Sequence, residues 1–419
     1  MPEVIDINGL TFIFNPFVGI ETASLGIFLK AGSRFETKDT KGIAHFLEHM
    51  VFKGSRKYSC SKIKREIEGR GGSLNAFTSQ ELTAYYAYFL NRNLITTLDI
   101  LIDMVFEPLF KPEDIERERK VILEEIKMYN DLPSSRGAML LDKLIWKGHP
   151  LGEEVIGYVP TVENIDRQKL NQFKEKYYIP SNMVISFSGN FSKKNIINRL
   201  EKKIKIVGKK SKFKMVAPLP CRGLNIAVEK KQLEQTHLCL GFRGISYLHP
   251  ERLVMQLINV ILGANMSSRL FEELREKRSL CYDISTEVKK YKDSGGFMIH
   301  AGLDKSKILV AIRTILKELQ KLKDKKVSSA ELLRAKDYLS GQIAMSLERP
   351  QGMMFFLAES FITLGKIYDY QSIKKEIEAI TPFQIKEMAN KIFKFQNMCI
   401  SCVGDISDKL KNDIRSLKK

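Results

Sequence analysis

The sequence lacks the features that mark membrane proteins and disulfide-stabilised proteins. Its 419 residues contain no apolar run long enough to cross a bilayer. Its N-terminus has no basic segment followed by an apolar run and a small-residue cleavage site, so it does not read as a signal peptide. The six cysteines show no disulfide-framework spacing, which favours a reducing compartment. We therefore expect a cytoplasmic protein without a membrane span.

Nucleic-acid-binding signatures are also missing, although the formal net charge is +19. Such an excess raises nucleic acid or another anionic surface as a partner. The lysines, however, are spread along the whole chain, and no basic run is interleaved with aromatic residues. We interpret the charge as solvated surface and expect no nucleic-acid partner. The alternative, a basic nucleic-acid-binding protein, predicts salt-sensitive binding to unrelated DNA or RNA.

Length and an internal repeat indicate two domains of one fold. A chain of 419 residues is too long for one compact domain, and 44% hydrophobic content supports a sizeable core. Residues 182–190 match residues 397–405 at an offset of 215. Residues 207–222, with four lysines and two prolines, have the composition of a linker. The predicted domains are therefore residues 1–206 and 223–419.

The strongest chemical signal lies at residues 44–50, which read AHFLEHM. Positions i, i+3 and i+4 of a helix share one face, so His45, Glu48 and His49 would lie side by side. Two imidazoles one turn apart can bind a single metal ion, and H-x-x-E-H is a zinc-peptidase pattern. The alternative is a pair of core histidines beside a solvated glutamate.

A second segment offers the third ligand that a catalytic zinc site requires. Residues 112–129 read PEDIERERKVILEEIKMY and are strongly helical in composition, with Pro112 suited to the first turn. Glu118 and Glu125 are seven residues apart, so a helix places them on the same face two turns apart. The neighbouring Glu124 would face elsewhere.

Together these residues resemble the pitrilysin (insulinase) family of zinc peptidases, the inverzincins of peptidase family M16. That family has a glutamate ligand about this far after H-x-x-E-H and another glutamate seven residues before it. The resemblance implies His45, His49 and Glu125 as ligands of one zinc ion per chain. It implies Glu48 as the general base acting on the zinc-bound water, and Glu118 as a supporting catalytic residue behind the ligands.

The resemblance continues at residues 71–87, GGSLNAFTSQELTAYYA, where residues 73–78 and 82–89 read as a pair of strands. In the family the first of these strands pairs with the backbone of the bound peptide, which is strand addition to an exposed sheet edge. The resemblance therefore implies Asn75 and Ala76 as substrate-binding residues. The alternative is an ordinary edge strand.

The second half carries a further resemblance at residues 268–283, SRLFEELREKRSLCYD, to the family segment LFxxLRxKxxLxY. It implies that Arg275 binds a peptide carbonyl and that Tyr282 helps hold the oxygen of the tetrahedral intermediate. A donor aimed at developing oxyanion charge lowers the reaction barrier. Without the family, a surface arginine would be the default interpretation. Arg278 is the alternative if the register differs.

The repeat also predicts what the second half does not do. At an offset of about 212, the H-x-x-E-H positions fall opposite Leu257, Val260 and Ile261, which cannot bind zinc. Cys399 and Cys402 are spaced like a redox or metal pair. Their counterparts in the first half are core residues, and positions three apart on a strand point to opposite faces. We therefore expect buried free thiols.

Taken over the whole chain, the resemblance is to the short two-domain branch, which includes the mitochondrial processing peptidase β subunit. It implies an α+β fold of two homologous domains facing each other across a cleft, each a mainly antiparallel sheet packed against helices. It also implies a zinc endopeptidase that cleaves peptides or unfolded, presequence-like segments within a closed chamber. We expect a homodimer, with a heterodimer as the alternative. The rival function is a non-catalytic scaffold or assembly subunit.

Overall fold

The computed structural model describes residues 2–17, 19–203 and 215–416. Strands in this part of the chain are β1 (Glu3–Ile7), β2 (Leu10–Pro16), β3 (Thr22–Leu29), β4 (Ser73–Thr78), β5 (Thr83–Leu90), β6 (Met183–Gly189), β7 (Asn225–Lys230), β8 (Thr236–Gly244), β9 (Cys281–Lys290), β10 (Gly295–Leu303) and β11 (Cys399–Gly404). The α-helices are α1 (Ile43–Val51), α2 (Cys60–Ile67), α3 (Leu94–Phe106), α4 (Pro112–Asp131), α5 (Pro133–Ile145), α6 (Val159–Glu163), α7 (Arg167–Tyr177), α8 (Lys193–Lys203), α9 (Arg252–Leu262), α10 (Ile308–Asp324), α11 (Ser329–Leu347), α12 (Pro350–Leu364), α13 (Tyr370–Ala379), α14 (Pro382–Ile392) and α15 (Asp408–Ser416).

Unit 1, the first of two compact units, comprises Met1–Ile126, Glu154–Met215 and Met345–Tyr368. Its sheet has the strand order β1-β2-β6-β3-β5-β4. The pair β2–β6 is parallel and every other pair is antiparallel. Strand β6 is buried at every residue, as expected for a central strand covered on both faces.

Unit 2 comprises Lys127–Glu153, Val216–Ala344 and Asp369–Lys419. Its sheet has the order β7-β11-β8-β10-β9, with β7–β11 parallel and the other pairs antiparallel. This is the same order and the same set of directions as β2-β6-β3-β5-β4 of unit 1. The structure thus confirms the predicted α+β fold of two homologous domains.

Each unit includes one helix from the other half of the sequence. In unit 1, α12 packs on β3 and β6, and the Ser186 hydroxyl donates to the carbonyl of Met354 at 3.1 Å. In unit 2, α5 packs on β8 and β11, and the Ser401 hydroxyl donates to the carbonyl of Gly137 at 2.6 Å. The two serines are 215 residues apart, the offset of the sequence repeat. The predicted domains are continuous stretches of chain, whereas the compact units exchange these helices.

Several smaller predictions can be compared with the structure. The first strand, β1, is absent from the sequence-based prediction, because its largely exposed residues give no clear apolar alternation. Residues 207–214 of the predicted linker lie outside the described residues, and residues 215–222 form no helix or strand. Cys399 and Cys402 are free and buried, as predicted. No helix in the described part of the chain is long and apolar enough to cross a membrane.

Candidate metal centre

The start of α1 is fixed by a glycine and a buried carboxylate. Gly42 has φ of +92°, and a Cβ there would lie 2.5 Å from the carbonyl oxygen of Ile156. Glu36 accepts hydrogen bonds from the backbone N–H groups of Gly42, at 3.1 Å, and Ala44, at 2.9 Å. These contacts satisfy N–H groups that the first turn of a helix leaves unpaired. They set the position of His45, the next residue in the chain.

Arg119 holds α4 against its neighbours in unit 1. Its guanidinium lies 5.7 Å from the centre of the Phe46 ring on α1. It also donates to backbone carbonyls at the end of α6 and beyond it, at Val162, Glu163 and Ile165. Because Arg119 directly follows Glu118, these contacts fix the register in which α4 presents its glutamates to α1.

The predicted ligands meet in unit 1. His45, His49 and Glu125 each offer one ligand atom, and these atoms all lie within 4.8 Å of one another. Oε2 of Glu125 is 3.8 Å from Nε2 of His45 and 3.6 Å from Nε2 of His49. Burial lowers the pKa of His45 to about 3, with repulsion from His49 as a second cause. The His45 imidazole is therefore neutral, as a metal ligand must be.

Glu118 connects the ligand His49 to a lysine. Its Oε2 lies 3.1 Å from Nδ1 of His49, and its Oε1 lies 2.5 Å from Nζ of Lys53. Burial would raise the pKa of Glu118, but hydrogen bonds from His49 and Lys53 outweigh it and lower the pKa. An ionised carboxylate at Nδ1 keeps the proton there and leaves the Nε2 lone pair free for a metal.

Glu48 lies beside the ligands with one oxygen uncommitted. Burial raises the pKa of Glu48, and a hydrogen bond with Thr78 on β4 opposes that shift. Its Oε2 is buried and has no hydrogen-bond partner among the described residues. A buried carboxylate oxygen without a partner is costly, and such atoms are retained where they serve a function.

These residues fit a catalytic zinc ion. Two histidines and one glutamate form a known donor set for catalytic zinc with an open fourth position. Zinc–ligand bonds of about 2.1 Å place tetrahedral donor atoms about 3.4 Å apart, close to the distances from Glu125 to the two imidazoles. The Glu48 oxygen that lacks a hydrogen-bond partner in the described chain lies on the same helix as the two imidazoles. Among the described residues, no other group of three such side chains converges in this way.

The two predicted substrate-binding residues, Asn75 and Ala76, lie on β4, the last strand in the sheet order of unit 1. Strand β4 pairs with β5, and no strand of the described chain pairs with its other edge. The Asn75 side chain is exposed, and its Oδ1 accepts from the N–H of Ala76 at 2.9 Å. The strand also carries Thr78, the partner of Glu48. An open strand edge can therefore present backbone groups next to the carboxyl group of Glu48.

Arg275 and Tyr282 lie together in unit 2, in a segment of irregular backbone. Arg275 belongs to a π-helical turn, Phe271–Glu276, and its guanidinium lies 4.8 Å from the centre of the Tyr282 ring. Ser279 between them has φ of +48°. Cys281 and Asp283 pair with consecutive residues of β10, so Tyr282 is the extra residue of a β-bulge. Three such irregularities within twelve residues are typical of functional segments.

The bulge explains why the Tyr282 ring faces solvent. Tyr282 is 76% exposed. In a regular strand, side chains alternate between core and surface, and the extra residue of the bulge interrupts this alternation at Tyr282. Arg278, the alternative to Arg275, forms an ion pair with Glu273 and donates to the Glu273 carbonyl. The contact between Arg275 and Tyr282 therefore favours the predicted register.

Two residues at the centre escape the sequence-based prediction. Lys53, which pairs with Glu118, lies four residues after His49, so continued helical spacing could have indicated it. Thr78, which bonds to Glu48, lies on the same strand as the predicted substrate-binding residues. Nothing in the sequence pattern singles out its hydroxyl, because the contact joins a strand to a helix.

Comparisons with known proteins identify the family of this chain. A family model described as insulinase, peptidase family M16, matches residues 19–158, and the model of the M16 inactive domain matches residues 164–339. A Bacillus subtilis protein named "uncharacterized zinc protease YmxG" is 33% identical over 92% of this chain and 94% of its own length. The chain belongs to peptidase family M16. A Rickettsia felis relative of this M16 protein, also named a zinc protease, is 33% identical over 92% of this chain and 93% of its own.

Solved structures share the fold of this M16 protein. A protease from Helicobacter pylori has a TM-score of 0.90 at 21% identity, covering 96% of this chain and 99% of that one. A structure from Pseudomonas fluorescens described as a peptidase M16 inactive domain has a TM-score of 0.89 at 20% identity, covering 97% and 98%. The predicted family is thus confirmed. The two relatives carry the name uncharacterized zinc protease.

Proposed function

We propose that this M16 protein is a zinc-dependent endopeptidase in which His45, His49 and Glu125 hold the metal and Glu48 is the general base. The observation that carries the proposal is the convergence of three ligand atoms from α1 and α4 within 4.8 Å. Beside them lies the carboxylate of Glu48, whose Oε2 has no hydrogen-bond partner among the described residues. A structural role alone would not require that set of donors around an orphaned carboxylate.

The chemistry divides between the metal and the chain. When bound, zinc supplies Lewis acidity, which acidifies a coordinated water and polarises the scissile carbonyl. Glu48 takes the proton from the attacking water and later passes it to the leaving amine. Burial supports this role because it raises the pKa of Glu48 and makes its carboxylate a stronger base. Glu118 acts through His49, by holding the ring in the tautomer that offers Nε2.

The proposed substrates are peptides or unfolded, presequence-like segments, enclosed in a chamber during cleavage. The open edge of β4 supports this choice, because strand addition grips a peptide backbone without reading its side chains. Asn75 and Ala76 would make these contacts. The predicted homodimer, with a heterodimer of related subunits as the alternative, belongs to the same proposal. Sedimentation velocity of the purified chain distinguishes a homodimer from a monomer that needs another subunit.

Arg275 and Tyr282 are proposed to contact the substrate, with the Tyr282 hydroxyl donating to the developing oxyanion. The exposed ring, the bulge that turns it outward and the stacked guanidinium support this role. Removing one donor of this kind costs about 10²–10³-fold in kcat. We expect Tyr282→Phe to lower kcat by that order while zinc content and melting temperature stay unchanged. A variant with wild-type kcat would exclude the role.

Substitution of Glu48 tests the proposal directly. The purified protein is loaded with zinc, and cleavage of a mixed peptide library is followed by mass spectrometry. Glu48→Gln keeps the shape of the side chain and removes the base, so we expect at least about 10²-fold slower cleavage with zinc still bound at one ion per chain. Glu124→Gln, at an exposed position on α4, is the matched control and should cleave at the wild-type rate.

The same experiment separates the rival functions. Cleavage by Glu48→Gln at the wild-type rate would refute the assigned mechanism. A wild-type protein that binds one zinc ion but cleaves no peptide would favour the non-catalytic scaffold. A wild-type protein that does not retain zinc would refute the proposed zinc site.

A further inference from the structure

Two cysteine sulfurs in unit 2 lie in contact. Sγ of Cys221 and Sγ of Cys399 are 3.4 Å apart, and both thiols are free. Cys399 is the fully buried first residue of β11, whereas Cys221 is half-buried in the segment that leads into β7. The proposed peptidase mechanism uses neither residue. The pair therefore needs an explanation of its own.

The backbone around both cysteines is already held in register. The N–H of Asn225 donates to the carbonyl of Met398 at 3.0 Å, and the parallel ladder pairs Asn225 with Cys399. The N–H of Gly223 donates to Oδ1 of Asn397 at 3.3 Å. A disulfide requires a sulfur–sulfur distance of about 2.05 Å, so the two atoms must approach by only about 1.4 Å. Cys221 precedes β7 and lies outside any helix or strand, so side-chain rotation and a small loop shift can supply this movement.

The surroundings assign different roles to the two sulfurs. The hydrogen bond from the Cys399 thiol lowers the pKa of Cys221 to about 7, and the positive charge of Arg243 acts in the same direction. The amide of Asn225 also donates to the Cys221 sulfur, at 3.6 Å. The same thiol–thiol bond, together with burial, raises the pKa of Cys399. Cys221 is thus the half-exposed thiol that loses its proton more readily, with the more strongly protonated Cys399 beside it.

We propose that Cys221 and Cys399 form an oxidative modification site that a hydroperoxide closes to a disulfide. The Cys221 thiolate attacks one oxygen of hydrogen peroxide, the O–O bond breaks, and hydroxide leaves and takes a proton from solvent, so that Cys221 becomes a sulfenic acid. The Cys399 sulfur then attacks Sγ of Cys221 and expels hydroxide, which takes up the Cys399 proton as water. The two sulfurs lose two electrons in total, and the peroxide is reduced to two waters.

The disulfide would attach the chain entering β7 to β11 by a covalent bond. In the reduced protein the same connection depends on hydrogen bonds and on the β7–β11 ladder. The modification therefore changes local opening of this sheet edge rather than its average geometry. Strand β7 is the outermost strand of its sheet in the described chain, where such opening is least costly.

Mass spectrometry tests the site. The native protein is treated with a small excess of hydrogen peroxide, quenched with catalase, then denatured and alkylated. We expect a mass loss of about 2 Da before alkylation, two fewer alkyl groups after it, one peptide pair linked through Cys221 and Cys399, and reversal by dithiothreitol. The rate of disulfide formation should rise about tenfold per pH unit below pH 7 and level off above it, because the thiolate is the reactive form.

Three variants make the result specific. Cys402→Ser, at a fully buried position on β11, is the matched control and should still lose 2 Da. Cys399→Ser should give a sulfenic acid at Cys221 that a dimedone reagent captures. Cys221→Ser should abolish the mass loss. Because Cys221 is less buried than Cys399, this substitution should not disturb the packing of the core. Full alkylation of both wild-type cysteines, or a sulfinic acid at Cys221 beside an alkylated Cys399, would overturn the proposal.

Discussion

At the metal centre, contacts on both sides hold Glu118, the residue behind the predicted ligands. Both oxygens of Glu118 are engaged, one by the ring of His49 and the other by the ammonium of Lys53. Lys53 thereby keeps the carboxylate ionised, and the carboxylate keeps the proton of His49 on Nδ1. His45 has no such partner, since its Nδ1 is buried without a hydrogen bond among the described residues. Glu118 therefore orients the ring of His49, whereas His45 depends on the packing of α1.

Removing this carboxylate should weaken metal binding without removing a ligand. We expect Glu118→Ala to raise the zinc dissociation constant about 10–100-fold, the usual cost of losing such a partner. Competition with a chromogenic chelator measures the constant. Glu124→Ala, at the exposed glutamate of the same helix, is the control and should leave the constant unchanged. Equal zinc affinity in the wild type and Glu118→Ala would contradict the tautomer argument.

Single residues also show where the sequence is informative about the centre. Spacing places His45, Glu48 and His49 on one face of a helix. It also places Glu118 and Glu125 on one face of another, while the resemblance to the family supplies their predicted roles. Lys53 and Thr78 join the centre through contacts between elements. A pattern within one element does not encode such contacts, which depend on the fold that brings the elements together.

At the scale of elements, α1 begins at a carboxylate that is wholly buried. Glu36 lies in a loop and caps the helix by accepting hydrogen bonds from the backbone N–H groups of Gly42 and Ala44. Burial raises the pKa of Glu36 to about 8. The two hydrogen bonds and the positive charge of Lys41 lower this pKa, but burial has the larger effect. Its folded pKa lies above the unfolded value of 4.5. The stabilisation by the neutral acid is therefore complete below pH 4.5 and is lost as the pH rises through 8.

This cap gives a prediction of pH dependence. Gln is isosteric with the neutral acid and does not titrate, so Glu36→Gln should become more stable relative to the wild type as the pH rises from 5 to 8. The difference should change by at most about 1.4 kcal/mol per pH unit. Urea unfolding at several pH values measures it. Glu113→Gln, at an exposed position in the first turn of α4, should show no such trend. A difference between Glu36→Gln and the wild type that is constant with pH would refute the role of the cap.

Elements differ in how well the sequence predicts them. The strands β4 and β5 and the helix α4 agree with prediction within about two residues, because each has strong periodicity and clear ends. Helix α5 begins at Pro133, in a stretch whose composition does not indicate a helix. After Pro133, its first turns hold two serines and Gly137, whose low helix propensity is overcome by packing on β8 and β11.

At the scale of the whole molecule, the exchange of α5 and α12 is the feature that the sequence does not reveal. The repeat of 215 residues predicts two similar domains, and the sheets confirm the similarity. Which helix covers which sheet depends on packing between distant segments. Met354 and Leu357 of α12 are buried against Ile13 and Phe28 in unit 1, far from them in sequence. Periodicity gives the apolar face of α12 but not its partner.

The exchange predicts that α12 contributes strongly to the stability of unit 1. Met354 is fully buried, so Met354→Ala should lower the free energy of unfolding by about 2–5 kcal/mol. Met266→Ala, at a position 76% exposed, should change it by less than about 0.5 kcal/mol. Chemical denaturation followed by circular dichroism measures both. Equal effects of the two substitutions would show that α12 is not part of the core of unit 1.

The helix exchange also restricts how such a gene can evolve. A mutation that splits the coding sequence at the middle would yield two polypeptides. Each would contain a sheet without the helix, α12 or α5, that packs on its apolar face. Neither product could persist alone, and both would have to be made together and find each other. Selection can therefore let the two copies differ in chemistry, as the aliphatic residues of α9 opposite the histidines of α1 illustrate, while it keeps them on one polypeptide.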